Sequence, residues 1–411
     1  MSNPQARSSF SRICPRFLTA ISSIYGPLPP KSPSTWTPPP LPSGHRGRYL
    51  WTDAFAVLDF LTLSKETSSP VYITLAARLI STVHDVLGRT RDGFARLPNA
   101  TDDQPLLGGL RIGKLDEHGS DGDGQYFHYL AIWMFALNRM ALASGDISYN
   151  SQAISLAKAV HPRFMKDPSA KRPRLYWKMS MDLSEPLVFS EGNLDPIDGY
   201  VVFSILQAVA GQNGILANEI ASYKRILDTK WPNYSSSDPL DLGMTLWTAH
   251  WFLGKEEWAD SLCKRALAST SMSRSYPPYL KPLQGWEYLI SNLFLLDELV
   301  NEFHFFSRPP RRRLAFREFG TCLGIRSILQ SQPTSFNSEE QGNGLETLAS
   351  DIVTTWETEK VVPDVLSHEN KQKDGLEDIT AVMYAAALWP GALQRSYFND
   401  ASSSTVATAA T

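Results

Sequence analysis

Cysteine is scarce in this 411-residue chain. Cys14, Cys263 and Cys322 are too few and too scattered for a disulfide framework or a zinc site, which points to a reducing compartment. No apolar run approaches the roughly 18 residues of a membrane span. Sustained period-2 alternation is also missing, so strands should be few. Neither sign of charge dominates: the net charge is −3, which leaves no electrostatic footprint for nucleic acid. Acidic residues are absent before Asp53, while Arg7, Arg12, Arg16, Lys31, Arg46 and Arg48 precede it. Residues 1–47 therefore read as a basic, Ser/Pro-rich solvated arm, its prolines keeping residues 27–42 extended. An Arg/Ser-rich organellar import segment is the alternative for residues 1–24, and the lack of a signal-peptide apolar region makes the cytoplasm the expected location.

What is present is helical periodicity from residue 50 onward. Helices are expected over 51–65, 71–87, 126–143, 149–164, 200–209, 216–227, 244–253 and 257–267. Further candidates cover 286–300, 314–327, 345–356 and 379–388. Two segments begin and end alike. Asp195-Pro196-Ile197-Asp198 runs to Gly211, and Asp238-Pro239-Leu240-Asp241 runs to Gly254. The first Asp suits an N-cap, Pro the first helical position and the second Asp the free N–H groups of the first turn. The glycine falls where a left-handed C-terminal cap would sit. Helices that are apolar nearly all round alternate with amphipathic ones, as inner and outer members of consecutive hairpins would. The fold class is therefore all-α, a toroid of inner and outer helices. Inner-to-outer connections are short, whereas outer-to-inner connections are long at 88–124 and 165–194. Long loops without secondary structure of their own are usually functional or disordered. Function is expected on the face where the inner helices begin.

The first long loop contains Gly108-Gly109-Leu110-Arg111-Ile112-Gly113-Lys114. Leu115 stands where a nucleotide-binding loop requires Ser or Thr, and no strand precedes the segment, so that reading is rejected. Arg111 and Lys114 remain as candidates for gripping an anionic group, against ordinary surface charge. Asp121 and Asp123 lack the glycine and distal Glu of a calcium loop; they suit either helix capping or a site. His128 lies one turn into an aromatic helix, as an acid/base group or a hydrogen-bonded core residue. In the second loop Glu191, Asp195 and Asp198 cluster near Asn193, and paired carboxyls in a cleft can divide general acid and base roles. Asp195 and Asp198 have capping roles available; Glu191 has none, which favours it for catalysis. Trp51, Tyr126, Tyr129, Trp133, Tyr176, Trp177, Trp247, Trp251 and Trp286 suit stacking on sugars or core filling.

The strings Arg48-Tyr49-Leu50-Trp51-Thr52-Asp53, residues 108–114, Gly122-Asp123-Gly124-Gln125-Tyr126-Phe127-His128-Tyr129 and residues 190–199 resemble six-hairpin glycosidase-like proteins. The resemblance spans about residues 48–391. It implies an (α/α)6 toroid with its cleft at the inner-helix N-termini, in a superfamily that includes sugar hydrolases and epimerases. The expected organisation is an arm over 1–47, one toroid domain over 48–395 with an insertion near 303–343, and a tail over 396–411. The leading expectation is hydrolysis of a glycoside, neutral or acidic, with no cofactor. Glu191 or Asp198 would be the general acid and Asp123 or Asp53 the base, with His128 a further candidate. Arg111, Lys114, Tyr126, Tyr129, Trp177, Asn193 and Trp247 would bind substrate. The alternative is an intracellular biosynthetic enzyme holding an isoprenoid diphosphate through Mg²⁺ on Asp121 and Asp123; a third is a non-catalytic binding scaffold.

Overall fold

Two kinds of helix alternate along the chain, and their packing closes a ring. The computed structural model describes residues 4–119, 121–236, 238–268, 312–331, 339–359, 361 and 376–398. The α-helices are α1 (Pro4–Tyr25), α2 (Leu50–Thr67), α3 (Val71–Val86), α4 (Phe127–Ser144), α5 (Ser148–Phe164) and α6 (Asp195–Val209). They continue as α7 (Ala217–Lys230), α8 (Pro239–Ala249), α9 (Glu257–Ala268), α10 (Ala315–Gln330), α11 (Glu339–Thr358) and α12 (Glu377–Leu388). Strand pairing among the described residues is limited to Gln125–Tyr126 with Lys178–Met179 and Met165–Lys166 with Arg174–Leu175, both antiparallel.

Helix α2 shows the inner type: every residue from 50 to 63 is buried. Helix α3 shows the outer type, burying Tyr72, Leu75, Ala76, Leu79, Ile80 and Val83, a single stripe at helical spacing. Hairpin partners are α2–α3, α4–α5, α6–α7, α8–α9 and α10–α11. The inner helices contact in the order α2, α4, α6, α8, α10, α12 and back to α2. Between α8 and α10 the approach is backbone to backbone: a Cβ on Gly243 would lie 2.1 Å from the Gly320 carbonyl oxygen. The described helices thus form a six-hairpin (α/α)6 toroid. None of them is long and apolar enough to cross a membrane.

The sixth outer helix is α1, which packs on α12 and α2. This corrects the expectation of a solvated arm. Phe10, Phe17, Ala20, Ile21 and Tyr25 are buried, Tyr25 donates to Asp53 at 2.9 Å and Arg16 pairs with Glu357 at 2.8 Å. Apolar spacing of three and four residues outweighs the Arg/Ser-rich composition. Phe17→Ala is expected to lower stability by about 3–5 kcal/mol in urea unfolding; an unchanged midpoint would return the segment to solvent.

Residues 315–330, assigned to a candidate insertion, form the inner helix α10. The candidate helix over 286–300, with Trp286, lies outside the described residues, as do most of the rest of that insertion and the tail beyond 398. Residues 389–398 cross the end of the ring opposite the mouth. There Ala392 N–H donates to Thr62 at 2.9 Å, and Trp247 Nε1 donates to the Leu393 carbonyl at 2.9 Å. Gly211 (φ 66°) directly follows the C-cap of α6, as its position implies, whereas α8 stops at Ala249 with His250 as its C-cap, so Gly254 (φ 71°) lies in the turn beyond the helix rather than at its cap.

Candidate functional site

The long connections 87–126 and 165–194 lie where α4 and α6 begin, so the expected face carries them. Each loop has its own internal fastening, and that removes several candidates from the site. Asp123 is fully enclosed: one carboxylate oxygen accepts from Arg111 at 2.5 Å and Arg91 at 2.7 Å. The other accepts backbone N–H groups of Gly113, Lys114 and Gly124. Arg111 is equally enclosed, donating to Arg89 and Val86 carbonyls as well. Neither lines the mouth cavity; together they hold the loop. The glycines serve the same loop. A Cβ on Gly109 (φ 76°) would strike the Gln125 side chain, which bonds Leu110 N–H and the carbonyls of Gly108 and Met181.

Lys114 pairs with Asp121 at 2.7 Å on the exposed rim. Asp121 and Asp123 thus answer separate cations, an arrangement unlike a shared Mg²⁺ site. No group of three or more metal-ligating side chains occurs among the described residues.

Asp53, a candidate base, is buried in α2 between Arg48 at 3.0 Å and the Tyr25 hydroxyl. It fastens α1 to the inner ring. Burial pushes its carboxyl up to about 6, against the pull of Arg48 and the Tyr25 hydrogen bond. A carboxyl that holds its proton more tightly when folded contributes stability that is complete below the unfolded value and lost as pH rises through about 6. Asp53→Asn removes that term. Urea unfolding should show wild type losing roughly 3 kcal/mol relative to the variant between about pH 3.5 and 7. A constant difference over that range would contradict the assignment.

The repeated Asp-Pro-aliphatic-Asp segments meet at a cavity of about 310 Å³ at the mouth. Asp195 and Asp198 come from α6, Asp238 and Asp241 from the start of α8, and Arg317 from α10. Trp51, His128, Met244 and Trp247 add the apolar and aromatic walls. The two repeats use their acids differently. Asp238 caps α8 as expected, accepting from Leu240 and Asp241 N–H at 2.9 and 3.1 Å, and pairs with Arg317. Asp195 does not cap: Leu194 takes that position, and the Asp195 carboxylate lies 3.4 Å from His128 Nδ1. Asp198 accepts from Thr248 at 2.7 Å and is otherwise walled in. Burial raises its carboxyl well above the usual range, the Thr248 hydrogen bond opposes this, and the Asp195 and Asp241 charges add to the rise. Asn193 donates to Asp241 at 2.8 Å. The site thus gathers four carboxyls and one guanidinium around a single cavity.

The other expected binding residues divide by depth. Trp247 forms part of the wall, anchored by its hydrogen bond to the floor segment. Tyr126 and Tyr129 stand behind the cavity, Tyr129 packing on Trp51 at 5.3 Å and bonding the Tyr49 hydroxyl. Trp177 stacks edge-on to Tyr126 at 5.3 Å and lies 6.4 Å from the His128 ring, at the rim. Glu191, the favoured catalytic acid, does not line this cavity. It faces a neighbouring one, 3.9 Å from Arg174. In the sequence, capping accounts for Asp195, Asp238 and Asp241 and so conceals them as site residues, and nothing there links Arg317 to Asp238, 79 positions away. The signal available was the repeat itself, since helices of one type in a ring bring equivalent ends together.

This fold matches solved carbohydrate-acting proteins along nearly its whole length. An α-1,6-mannanase of glycoside hydrolase family 76 from Salegentibacter superimposes with a TM-score of 0.54, at 12% identity, over 92% of this chain and 98% of the mannanase. A family 76 mannosidase from Bacteroides thetaiotaomicron gives 0.53 at 10% identity, over 93% and 99%. The cellobiose 2-epimerase from Spirochaeta thermophila gives 0.52 at 12%, over 93% and 97%. The chain has the six-hairpin glycosidase-like fold. No protein-family model and no curated sequence matches it.

Proposed function

We propose that this protein is a carbohydrate-active enzyme that cleaves a glycosidic bond by acid/base catalysis in the four-carboxyl cavity. The observation that carries this reading is the convergence of Asp198, Asp195 and Asp241 on one cavity, where burial, and after it the charges of Asp195 and Asp241, raise the Asp198 carboxyl above the usual range. Such an acid can protonate the departing glycosidic oxygen while an ionised neighbour serves as base or nucleophile. Asp195 is the better placed partner, because it lies 3.4 Å from His128, whereas Arg317 pairs directly with Asp238. Asp241 is held by Asn193 and completes the negative field. Trp51 and Trp247 give the cavity aromatic walls of the kind that pack against sugars. The mannanase and mannosidase that share the fold make mannosides the first substrates to try.

The His128–Asp195 pair favours a second reading, sugar epimerisation, since a carboxylate-backed imidazole is a suitable base for a C–H next to a carbonyl. Proton NMR of the purified protein with α- and β-linked manno- and gluco-oligosaccharides, in neutral, uronate-bearing and phosphorylated forms, separates the two. Hydrolysis predicts new reducing ends; epimerisation predicts a changed sugar at constant chain length. Neither change across the panel would remove the catalytic reading.

A further inference from the structure

Beside the acidic cavity lies a second one of about 380 Å³, within the roughly 300–1,000 Å³ of small-molecule pockets. Its charge is opposite. Arg172, Arg174 and Lys230 line it against the single carboxylate of Glu191, whereas the first cavity sets four Asp against Arg317. Asn193 lines both, so the two are continuous at one side chain. Lys230 stands between them: its ammonium donates to the Gly192 carbonyl at 2.6 Å, and it feels Glu191 on one side and Asp195 and Asp241 on the other. The arginines are lightly engaged. Arg174 approaches Glu191 only to 3.9 Å, and Arg172 has no hydrogen-bond or ion-pair partner among the described residues. The strand pair 165–166 with 174–175 carries both arginines, and its tip is held when Arg225 donates to the Pro168 carbonyl at 2.7 Å.

A neutral glycan gives no reason for three cations beside a cavity of acids. We propose that this side cavity is a subsite for an anionic substituent, a carboxylate or a phosphate, on the sugar adjoining the one held among the aspartates. Guanidinium groups match both anions through paired N–H donors, and Lys230 adds a partly desolvated charge at the junction. The inference rests on the glycoside reading and narrows it to acidic or phosphorylated glycans. It also moves anion recognition from Arg111, which Asp123 occupies, to the loop and helix residues of this side cavity.

Calorimetric titration with glucuronate, glucose 6-phosphate and glucose tests it on wild type, on the double variant Arg172→Ala/Arg174→Ala and on Glu191→Gln. The expected result is that at least one anionic sugar binds about tenfold or more tighter than glucose. The double variant should lose that preference and Glu191→Gln should widen it. Preference for glucuronate identifies a carboxylate subsite, and preference for glucose 6-phosphate a phosphate subsite. No preference in wild type, or one untouched in the double variant, would overturn the proposal. Asp198→Asn keeps the two claims separate. Loss of cleavage with the anion preference retained supports the subsite, whereas cleavage of neutral glycosides with no anion preference overturns the subsite alone.

Discussion

Asp198→Asn is expected to lower kcat on any glycoside this protein cleaves by about a hundred- to ten-thousand-fold, the usual share of a positioned general acid. The fold should survive. The amide oxygen can still accept from Thr248, which now bonds the carboxyl at 2.7 Å, and the change removes a group whose ionised form burial disfavours. Wild-type activity should also decline on the alkaline side, as Asp198 loses its proton, and aryl glycosides with good leaving groups should suffer less from the variant because they need less protonation. Asp195→Asn should reduce turnover as well, through loss of the ionised partner. A variant at Asp198 with wild-type kcat and an unchanged pH profile would place the chemistry elsewhere.

Asp123→Asn should do the reverse, lowering stability rather than chemistry. Asp123 and Arg111 are both fully enclosed and bonded at 2.5 Å, with Arg91 as a second cation at 2.7 Å. Removing the charge of one partner leaves buried guanidinium groups uncompensated, an effect of about 3–5 kcal/mol. Arg111→Met should be comparably destabilising, and the pair Arg111→Met/Asp123→Leu less so than the sum of its parts. The measurement is the urea midpoint of each variant with the slope monitored. A stable Asp123→Asn protein with lost turnover would restore the catalytic role that its place in the loop first suggested.

The contrast between these two aspartates marks how far the sequence was legible. Alternating apolar and amphipathic text revealed the inner and outer helices, because burial on all sides and burial on one side leave different residue patterns. The Asp-Pro-aliphatic-Asp repeat located two helix starts and, through them, the acidic mouth. Which carboxyls would be free was not legible. Asp195 and Asp238 occupy equivalent positions in the repeat, yet one faces His128 while the other caps its helix and meets Arg317. That choice depends on neighbours from other hairpins. Asp123 stood in the most suggestive motif, and its cations, Arg111 and Arg91, lie within the same loop. The N-terminal helix was legible in principle: Phe10, Phe17, Ile21 and Tyr25 keep helical spacing, but the Arg- and Ser-rich composition around them points to solvent.

The central claim is that the Asp198 carboxyl in the mouth is raised above the usual range by burial and by its acidic neighbours. Carbon-13 NMR of protein labelled at the aspartate carboxyls, with Asp198→Asn used to assign the resonance, measures this directly. The account predicts that the Asp198 signal stays at its protonated position at neutral pH and moves only well above the ordinary carboxylate range. Titration of Asp198 in the ordinary carboxylate range would contradict it and leave the cavity without its acid.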